Sequence, residues 1–236
     1  MADYTLYYWP LPFRGQFVRA VLAWVGASCD EVSAEEIVAL METAPGAQPV
    51  PFVAPPVLED HQAGVTLSQL PAILLYLGRK YDLLPAEAGK AALTSKVFCD
   101  ANDVLSEITR FGGREMWTRG EWETFIEERL SRWMQVFEAL GLQHGLSSEA
   151  GTMLGTDRPG LADIVTATLW GTLTHKMPEF APMLAREAPS VAALAARMQQ
   201  TEVLTVLQTE TDARFGQAWC GGLIEASIRE MLTEPL

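Results

Sequence analysis

The first aromatic residues of the chain are the clearest candidates for chemistry. Tyr8 lies near the end of an uncharged run, Tyr4–Trp9, whose aromatic and β-branched residues predict a buried strand. Pro10 and Pro12 end that strand because proline has no backbone N–H, and apolar residues then recur at helical spacing. A phenol between a strand end and a helix N-terminus is well placed to meet an anion, since the helix dipole favours negative charge there.

Two other sequence features bear on this prediction. Side chains alternate along a strand, so Tyr7 points away from Tyr8 and is the weaker candidate. From the pattern alone, a core tyrosine without chemistry is the simpler interpretation of Tyr8. The three cysteines have no close spacing and predict neither a disulfide framework nor a metal site, and each is more typical of a small buried hydrophobe than of a nucleophile.

Length, composition and charge exclude several classes of protein. The chain has 236 residues, of which 49% are hydrophobic and 20% charged, and this indicates a folded globular protein. A net charge of −13 disfavours nucleic acid and anionic membrane surfaces, because both require clusters of lysine and arginine. No apolar run reaches the length of a membrane span, and residues 1–10 lack the basic segment of a signal peptide, so we expect a cytoplasmic protein.

Strand and helix patterns divide the chain into two parts. Residues 1–82 follow a β-α-β-(short α)-β-β-α order, with Ser68 as the expected cap of the last helix. Five prolines between residues 45 and 56 predict an extended loop. After a linker at 83–89, residues 90–236 show helical periodicity only, with breaks expected at Pro178 and Pro182. Helices are predicted at 90–111, 121–140, 161–175, 189–209 and 218–232. The predicted fold class is thus an α/β domain followed by an all-helical domain.

Four motifs in order resemble those of the cytosolic glutathione transferases. The first is the strand, tyrosine, proline turn and arginine up to Arg14, which is similar to the pi-type pattern. The others are Pro56–Asp60, similar to a cis-proline motif, Thr66–Leu77, similar to a hairpin-to-helix signature, and Gly155–Ile164, similar to a helix-capping motif. The resemblance implies a thioredoxin-like domain that binds glutathione, and helices that bind a small hydrophobic electrophile. It also implies a homodimer that conjugates the two substrates in detoxification.

The resemblance assigns roles to individual residues. Tyr8 matches the catalytic tyrosine, whose hydroxyl would favour the thiolate of glutathione and lower the thiol pKa. Arg14 matches an arginine near the active site, although a surface arginine at a helix start is an equally good interpretation. Further glutathione contacts are implied at Pro55, Pro56, Gln69, Leu70 and Glu107.

Acidic and aromatic residues of the helical part complete the predicted site. In related dimers, an acid at Asp103 or Glu107 reaches the partner's glutathione, although both also suit a solvated helix face. Met116 and Trp117 are candidates for the second-substrate pocket, although aromatic residues at this spacing are also typical of a core. No cysteine occupies the position of a catalytic cysteine, which disfavours a thiol-disulfide oxidoreductase.

Three departures from the family pattern weaken the predicted glutathione contacts. Leu70 replaces the serine that normally holds the γ-glutamyl carboxylate, so only its backbone N–H can do so. Pro55 has no N–H for the cysteinyl unit, unless the bond before Pro55 is the cis one and leaves this contact to the preceding alanine. No lysine or arginine occurs between positions 20 and 78, so only His61 could replace the usual loop cation. A non-catalytic ligand-binding or scaffold protein on the same fold is therefore the alternative prediction.

Overall fold

The computed structural model describes residues 2–233, and within it the chain begins with a four-stranded sheet and three helices. These elements are β1 (Tyr4–Tyr7), α1 (Phe13–Trp24), β2 (Cys29–Glu31), α2 (Ala34–Glu42), β3 (Val57–Asp60), β4 (Val65–Ser68) and α3 (Leu70–Lys80). The strand order is β2-β1-β3-β4, with β1 and β2 parallel and the other pairs antiparallel. The proline-rich loop between α2 and β3 contains one short 3₁₀ turn, Pro45–Ala47.

The register of the sheet brings three predicted motifs to one edge. Tyr7 of β1 pairs with Val57 of β3, and Val57 pairs with Ser68 of β4. These pairs place the end of β1, the start of β3 and the end of β4 side by side. The residues just beyond them in the chain therefore meet at the same edge of the sheet: Tyr8, Pro56 and Gln69.

The rest of the described chain is helical. Its helices are α4 (Ala88–Ile108), α5 (Arg110–Gly113), α6 (Arg119–Thr124), α7 (Ser131–Gln143), α8 (Leu161–Lys176), α9 (Ala181–Glu187), α10 (Pro189–Gln199), α11 (Glu202–Phe215) and α12 (Gly222–Met231). A π-helical turn, Phe125–Leu130, joins α6 to α7, and a 3₁₀ turn, Pro178–Phe180, precedes α9. Helix α8 is buried along most of its length and packs against α1, α4 and α10, so it joins the two parts through one core.

The fourth predicted motif, Gly155–Ile164, forms buried hydrogen bonds at the start of α8. The Asp163 carboxylate accepts hydrogen bonds from the backbone N–H of Met153 at 2.7 Å and of Gly160 at 2.8 Å. Two charge-assisted hydrogen bonds offset the cost of burying this carboxylate and fix the loop that precedes the helix. No helix within residues 2–233 is both long and apolar enough to cross a membrane.

The structure differs from the sequence prediction at several element boundaries. Pro182 does not break a helix but occupies the first turn of α9, where a missing N–H has no partner to lose. The single helix predicted over 189–209 is two helices, α10 and α11. Ser68 does not cap α3, because it is the last residue of β4 and Gln69 takes the N-cap position.

Candidate active site

Tyr8 stands beyond the end of β1 with its phenol enclosed against the start of α1. The residue is 3% exposed, and its hydroxyl oxygen accepts a hydrogen bond from the Arg14 backbone N–H at 2.9 Å. Gly15 permits this approach, because a Cβ there would lie 2.3 Å from Cδ1 of the tyrosine ring. The hydrogen bond occupies one lone pair of the phenol oxygen, so the phenolic proton remains available to another acceptor.

The protonation state of Tyr8 defines what it can do. Burial raises the pKa of Tyr8 to about 12, against the opposing effects of Arg14, Arg19 and the first amides of α1. The phenol is therefore protonated at neutral pH and acts as a hydrogen-bond donor, not as a base. A hydrogen bond from this hydroxyl would stabilise the charged form of an anionic ligand.

Arg14 adds a positive charge beside the phenol. Its Nε donates to Asn102 Oδ1 at 2.9 Å and its Nη2 to Ser106 Oγ at 2.8 Å, both on α4. The guanidinium lies 4.8 Å from the centroid of the Phe13 ring, and no carboxylate within residues 2–233 pairs with it. Burial lowers the pKa of Arg14, yet the group stays charged at neutral pH. A partly buried cation with neutral partners makes this part of the molecule attractive to an anion.

Arg19 is a second cation of the site, and the sequence analysis missed it. Its guanidinium lies 5.8 Å from the centroid of the Tyr8 ring, and its Nη1 donates to the Leu11 carbonyl at 3.0 Å. Glu31 of β2 holds the same guanidinium through two hydrogen bonds of 2.9 and 2.8 Å. Arg19 thus links the loop between β1 and α1 to β2. The available signal was an arginine within the apolar run of α1, between Val18 and Ala20.

The other predicted contacts at this sheet edge offer few polar groups. The cis peptide bond joins Pro55 to Pro56, so the residue before the cis-proline has no N–H. Gln69 is exposed and has a φ of 74°, a conformation that is costly outside glycine and is common at functional sites. The Leu70 side chain is 1% exposed and belongs to the core. The backbone N–H of Leu70, in the first turn of α3, is its remaining polar contribution.

Two predicted polar contacts already have partners in the structure. The His61 ring bonds the Thr5 hydroxyl at 3.0 Å and the Ala2 carbonyl at 2.8 Å, at the opposite end of β3 from the proline-rich loop. His61, the one residue of this stretch that could replace the loop cation, is therefore not placed to do so. Glu107 on α4 forms a salt bridge with Arg129, with 2.5 Å between Nη2 and Oε1.

Trp117 belongs to an aromatic cluster of the helical part. Its ring lies edge-on to Trp122 at 5.3 Å between centroids and 4.9 Å from Phe125. Its indole N–H donates to the Ile108 carbonyl at 2.9 Å. Met116, the preceding residue, is 36% exposed. The assignment of Met116 and Trp117 to a second-substrate pocket stays a prediction.

The cysteines do not provide a reactive thiol. All three are free, and burial raises the pKa of Cys29 to about 12 and raises those of Cys220 and Cys99 as well. Cys99 is exposed, which differs from the expected buried hydrophobe. A thiol with a raised pKa holds little thiolate at neutral pH and is a poor nucleophile. Within the described residues, no group of three or more side chains could hold a metal ion.

Comparison with known proteins gives one consistent family. A family model described as glutathione S-transferase, C-terminal domain, matches residues 93–231. A glutathione S-transferase of Plasmodium yoelii yoelii is 26% identical over 129 residues, which are 55% of this chain and 56% of that protein. The match to this relative thus spans little more than half its length.

Solved structures share the fold at low sequence identity. The Pi-class glutathione S-transferase of Onchocerca volvulus is 19% identical, with a TM-score of 0.73 over 93% of this chain and 98% of its own. Na-GST-3 of Necator americanus, described as monomeric, is 19% identical, with a TM-score of 0.68 over 88% of this chain and 97% of its own. The predicted fold class, a thioredoxin-like domain followed by helices, is confirmed.

Proposed function

Because this chain belongs to the glutathione S-transferase family, we propose that it conjugates the thiol of glutathione to a small hydrophobic electrophile. The observation that carries this proposal has two parts: the Tyr8 phenol is protonated and accepts from the Arg14 backbone N–H, and the charged guanidinium of the same Arg14 has no carboxylate partner in the described chain. In a protein of net charge −13, a guanidinium without a carboxylate partner is a positive charge free to attract an anion. Tyr8 is the proposed thiol-activating residue.

The chemistry requires a lower thiol pKa. A free thiol has a pKa of about 8.5, so only a few per cent is thiolate at neutral pH, and the thiolate is the nucleophile. A hydrogen bond from the Tyr8 hydroxyl and the charge of Arg14 would both stabilise the thiolate. The thiol proton is lost to solvent, the sulfur lone pair forms the new S–C bond, and the bonding electrons leave with the displaced group of the electrophile.

Glutathione would lie along the sheet edge that ends in Tyr8. Its γ-glutamyl carboxylate would accept from the Leu70 N–H at the N-terminus of α3, beside Gln69. The cysteinyl N–H would donate to the carbonyl of Pro55, which precedes the cis-proline Pro56. These contacts are fewer than a serine hydroxyl and a paired N–H would supply, and we expect weak binding.

Three further parts of the proposal concern the helical part and the setting of the reaction. Met116 and Trp117 would contact the electrophile. In a homodimer, Glu107 of one protomer would reach the glutathione of the other. A cytoplasmic role in detoxification fits these substrates. Light scattering tests the homodimer, since one relative is described as monomeric.

Removal of the Tyr8 hydroxyl tests the proposal. Tyr8→Phe should lower turnover with a standard electrophile about 10- to 100-fold, the value of one hydrogen bond to a charged group. The KM for glutathione should change little. Tyr7→Phe is the control, because the Tyr7 hydroxyl donates to Glu59 at 3.3 Å on the other face of the strand.

Three results would count against the proposal or its central residue. Equal loss from the two variants would remove the assignment of Tyr8. Retention on immobilised glutathione without conjugation would indicate the alternative, a non-catalytic binding protein. If the protein is neither retained on immobilised glutathione nor able to conjugate it, glutathione is not the ligand.

A further inference from the structure

The segment before the last helix lies directly on the turn that carries the site. We define the C-terminal loop as Gly216–Gly221. The carbonyl of Trp219 accepts a hydrogen bond from the Phe13 N–H at 3.1 Å. The two rings meet edge-on at 5.1 Å, and Trp219 is 2% exposed. A Cβ on Gly221 would lie 2.8 Å from a methyl of Leu11, so loop and turn are in close contact.

The turn that receives this contact is strained. Phe13 has a φ of 33°, which is unfavourable for a residue with a side chain. Such conformations persist where the surroundings hold them. The next amide in the chain is the Arg14 N–H, which donates to the Tyr8 hydroxyl. The direction of that N–H therefore depends on a turn that the C-terminal loop fixes.

One buried carboxylate holds the C-terminal loop in place. Oε2 of Glu225 accepts from the N–H groups of Trp219, Cys220 and Gly221 at 2.9, 2.9 and 2.6 Å. Its other oxygen accepts from Nε and Nη2 of Arg229 at 2.9 and 2.7 Å. Charge-assisted hydrogen bonds are the stronger ones, and three successive amides on one oxygen define the path of the loop.

We infer that Glu225 is a positioning residue for the Tyr8 hydroxyl. The carboxylate orders the C-terminal loop, the Trp219 carbonyl holds Phe13, and the following N–H holds the phenol oxygen. Glu225 is the residue of this series of contacts that lies farthest from the phenol, and it touches neither Tyr8 nor Arg14. The catalytic consequence of this inference rests on the proposed function, whereas its structural consequence does not.

The structural consequence is measured in the free protein. Glu225→Gln removes the charge that attracts three amides. The ring-carbon NMR resonance of Tyr8, identified as the signal that Tyr8→Phe deletes, should shift or broaden. Glu230→Gln is the matched control, because Glu230 is exposed on the same helix and its carboxylate bonds no described residue. An unchanged Tyr8 signal in folded Glu225→Gln overturns the inference, whatever the activity of the protein.

The catalytic consequence is measured by a double-mutant cycle. Glu225→Gln should lower kcat about fivefold, with the KM for glutathione changed less than about twofold. In a Tyr8→Phe background the same substitution should have no effect on kcat, because its target is gone. Equal losses in both backgrounds would mean that Glu225 supports the fold in general, and would overturn the inference. Failure of the proposed function instead appears as a normal kcat in Tyr8→Phe.

A milder variant covers the case in which Glu225→Gln does not fold. Arg229→Lys keeps the positive charge but loses the fork that orients the Glu225 carboxylate. It should shift the Tyr8 resonance in the same direction by a smaller amount, and lower kcat by about twofold. A Tyr8 signal identical to that of the unmodified protein overturns the inference here as well.

Discussion

The two sides of the proposed site meet at one sheet edge but are built in opposite ways. On the thiol side, the Tyr8 phenol is held by the Arg14 amide, packs on Gly15 and lies near a buried arginine, Arg19. On the peptide side, Leu70 turns its side chain into the core and Pro55 has no N–H. In the proposed function, activation of the thiol and retention of the peptide therefore rest on separate residues, and mutation should separate them.

The proline-rich loop also has two unlike parts, one held by internal hydrogen bonds and one exposed. Gln48 braces it from inside: its Oε1 accepts from the Phe52 N–H at 2.9 Å and its Nε2 donates to the Leu40 carbonyl at 3.2 Å. Val53, in contrast, is 91% exposed. Its N–H and that of Ala54 have no hydrogen-bond partner within residues 2–233. These two amides are among the free donors that the loop offers to a ligand.

The largest effect should come from adding one methyl group on the thiol side. Gly15→Ala would place a Cβ 2.3 Å from the Tyr8 ring and 2.9 Å from Nη1 of Arg19. We expect unfolding free energy to fall by about 3 kcal/mol and turnover about 100-fold, because an overpacked core displaces its neighbours. The control is Gly46→Ala in the proline-rich loop, where no heavy atom lies within 4 Å. Equal activity of the two variants would contradict the claim that the thiol side is more closely packed than the peptide side.

Truncation on the peptide side should affect stability without affecting chemistry. Leu70→Ala removes a side chain that is 1% exposed, and should lower the unfolding free energy by about 2–3 kcal/mol. Turnover and glutathione affinity of the folded protein should stay within about twofold, because the proposed carboxylate contact is a backbone N–H. Leu142→Ala, at a leucine that is 55% exposed, is the control for stability. A large loss of affinity would show that the side chain shapes the peptide site.

The ion pair behind the thiol side should make stability sensitive to acid. Burial alone would raise the pKa of Glu31, but hydrogen bonds from Arg19 and Arg214 hold it at about 2. The folded pKa is thus below the unfolded value, so the stabilisation is present above about pH 4.5 and is lost as pH falls towards about 2. After allowance for solvent screening, about 1–2 kcal/mol should disappear over this range. Glu31→Gln should be less stable at pH 7 and should lose less on acidification, as measured by urea unfolding at each pH.

The sequence predicted what local patterns and motif spacing encode. Alternation and helical periodicity indicated the order of strands and helices. The motifs assigned Tyr8, Pro56 and Gln69 to one predicted site without any knowledge of how the strands pair. Boundaries were less reliable. Pro182 predicted a break although proline is compatible with the first turn of a helix. Two adjacent prolines left the cis bond undecided between Pro55 and Pro56.

Contacts between distant parts of the chain could not be predicted in this way. Trp219 and Phe13 are about two hundred positions apart, and no periodicity states which segment covers a given turn. Arg19 and Glu225 are ordinary charged residues until the fold encloses them. Leu70 was assigned to the ligand by its place in a motif, whereas the burial of the first residue of α3 depends on packing. Local rules therefore defined the elements, and long-range packing defined what surrounds the phenol.

The smallest expected effect is a dependence of glutathione affinity on salt. Residues 1–85 contain four lysines and arginines against nine acids, and bound glutathione carries a net charge of about −1, or about −2 once its thiol ionises. Lys80 and Arg19 are paired with carboxylates of the same part of the chain, and Arg79 is exposed in the last turn of α3. Arg14 is therefore the cation of this part that we place beside the proposed thiolate. Salt screens exposed charges at a distance far more than partly buried ones at contact.

Moderate salt should therefore weaken repulsion from the surface acids more than it weakens attraction to Arg14. We expect the Kd for glutathione to be high and to fall about twofold between roughly 10 and 200 mM salt, measured by calorimetric titration. Arg14→Gln should bind more weakly at every salt concentration and should keep the same direction of salt dependence. Low micromolar binding that weakens steeply with salt would instead make Arg14 the main anchor of the whole ligand. The peptide side would then depend on the thiol side for affinity, and the two functions of the site would not be separable.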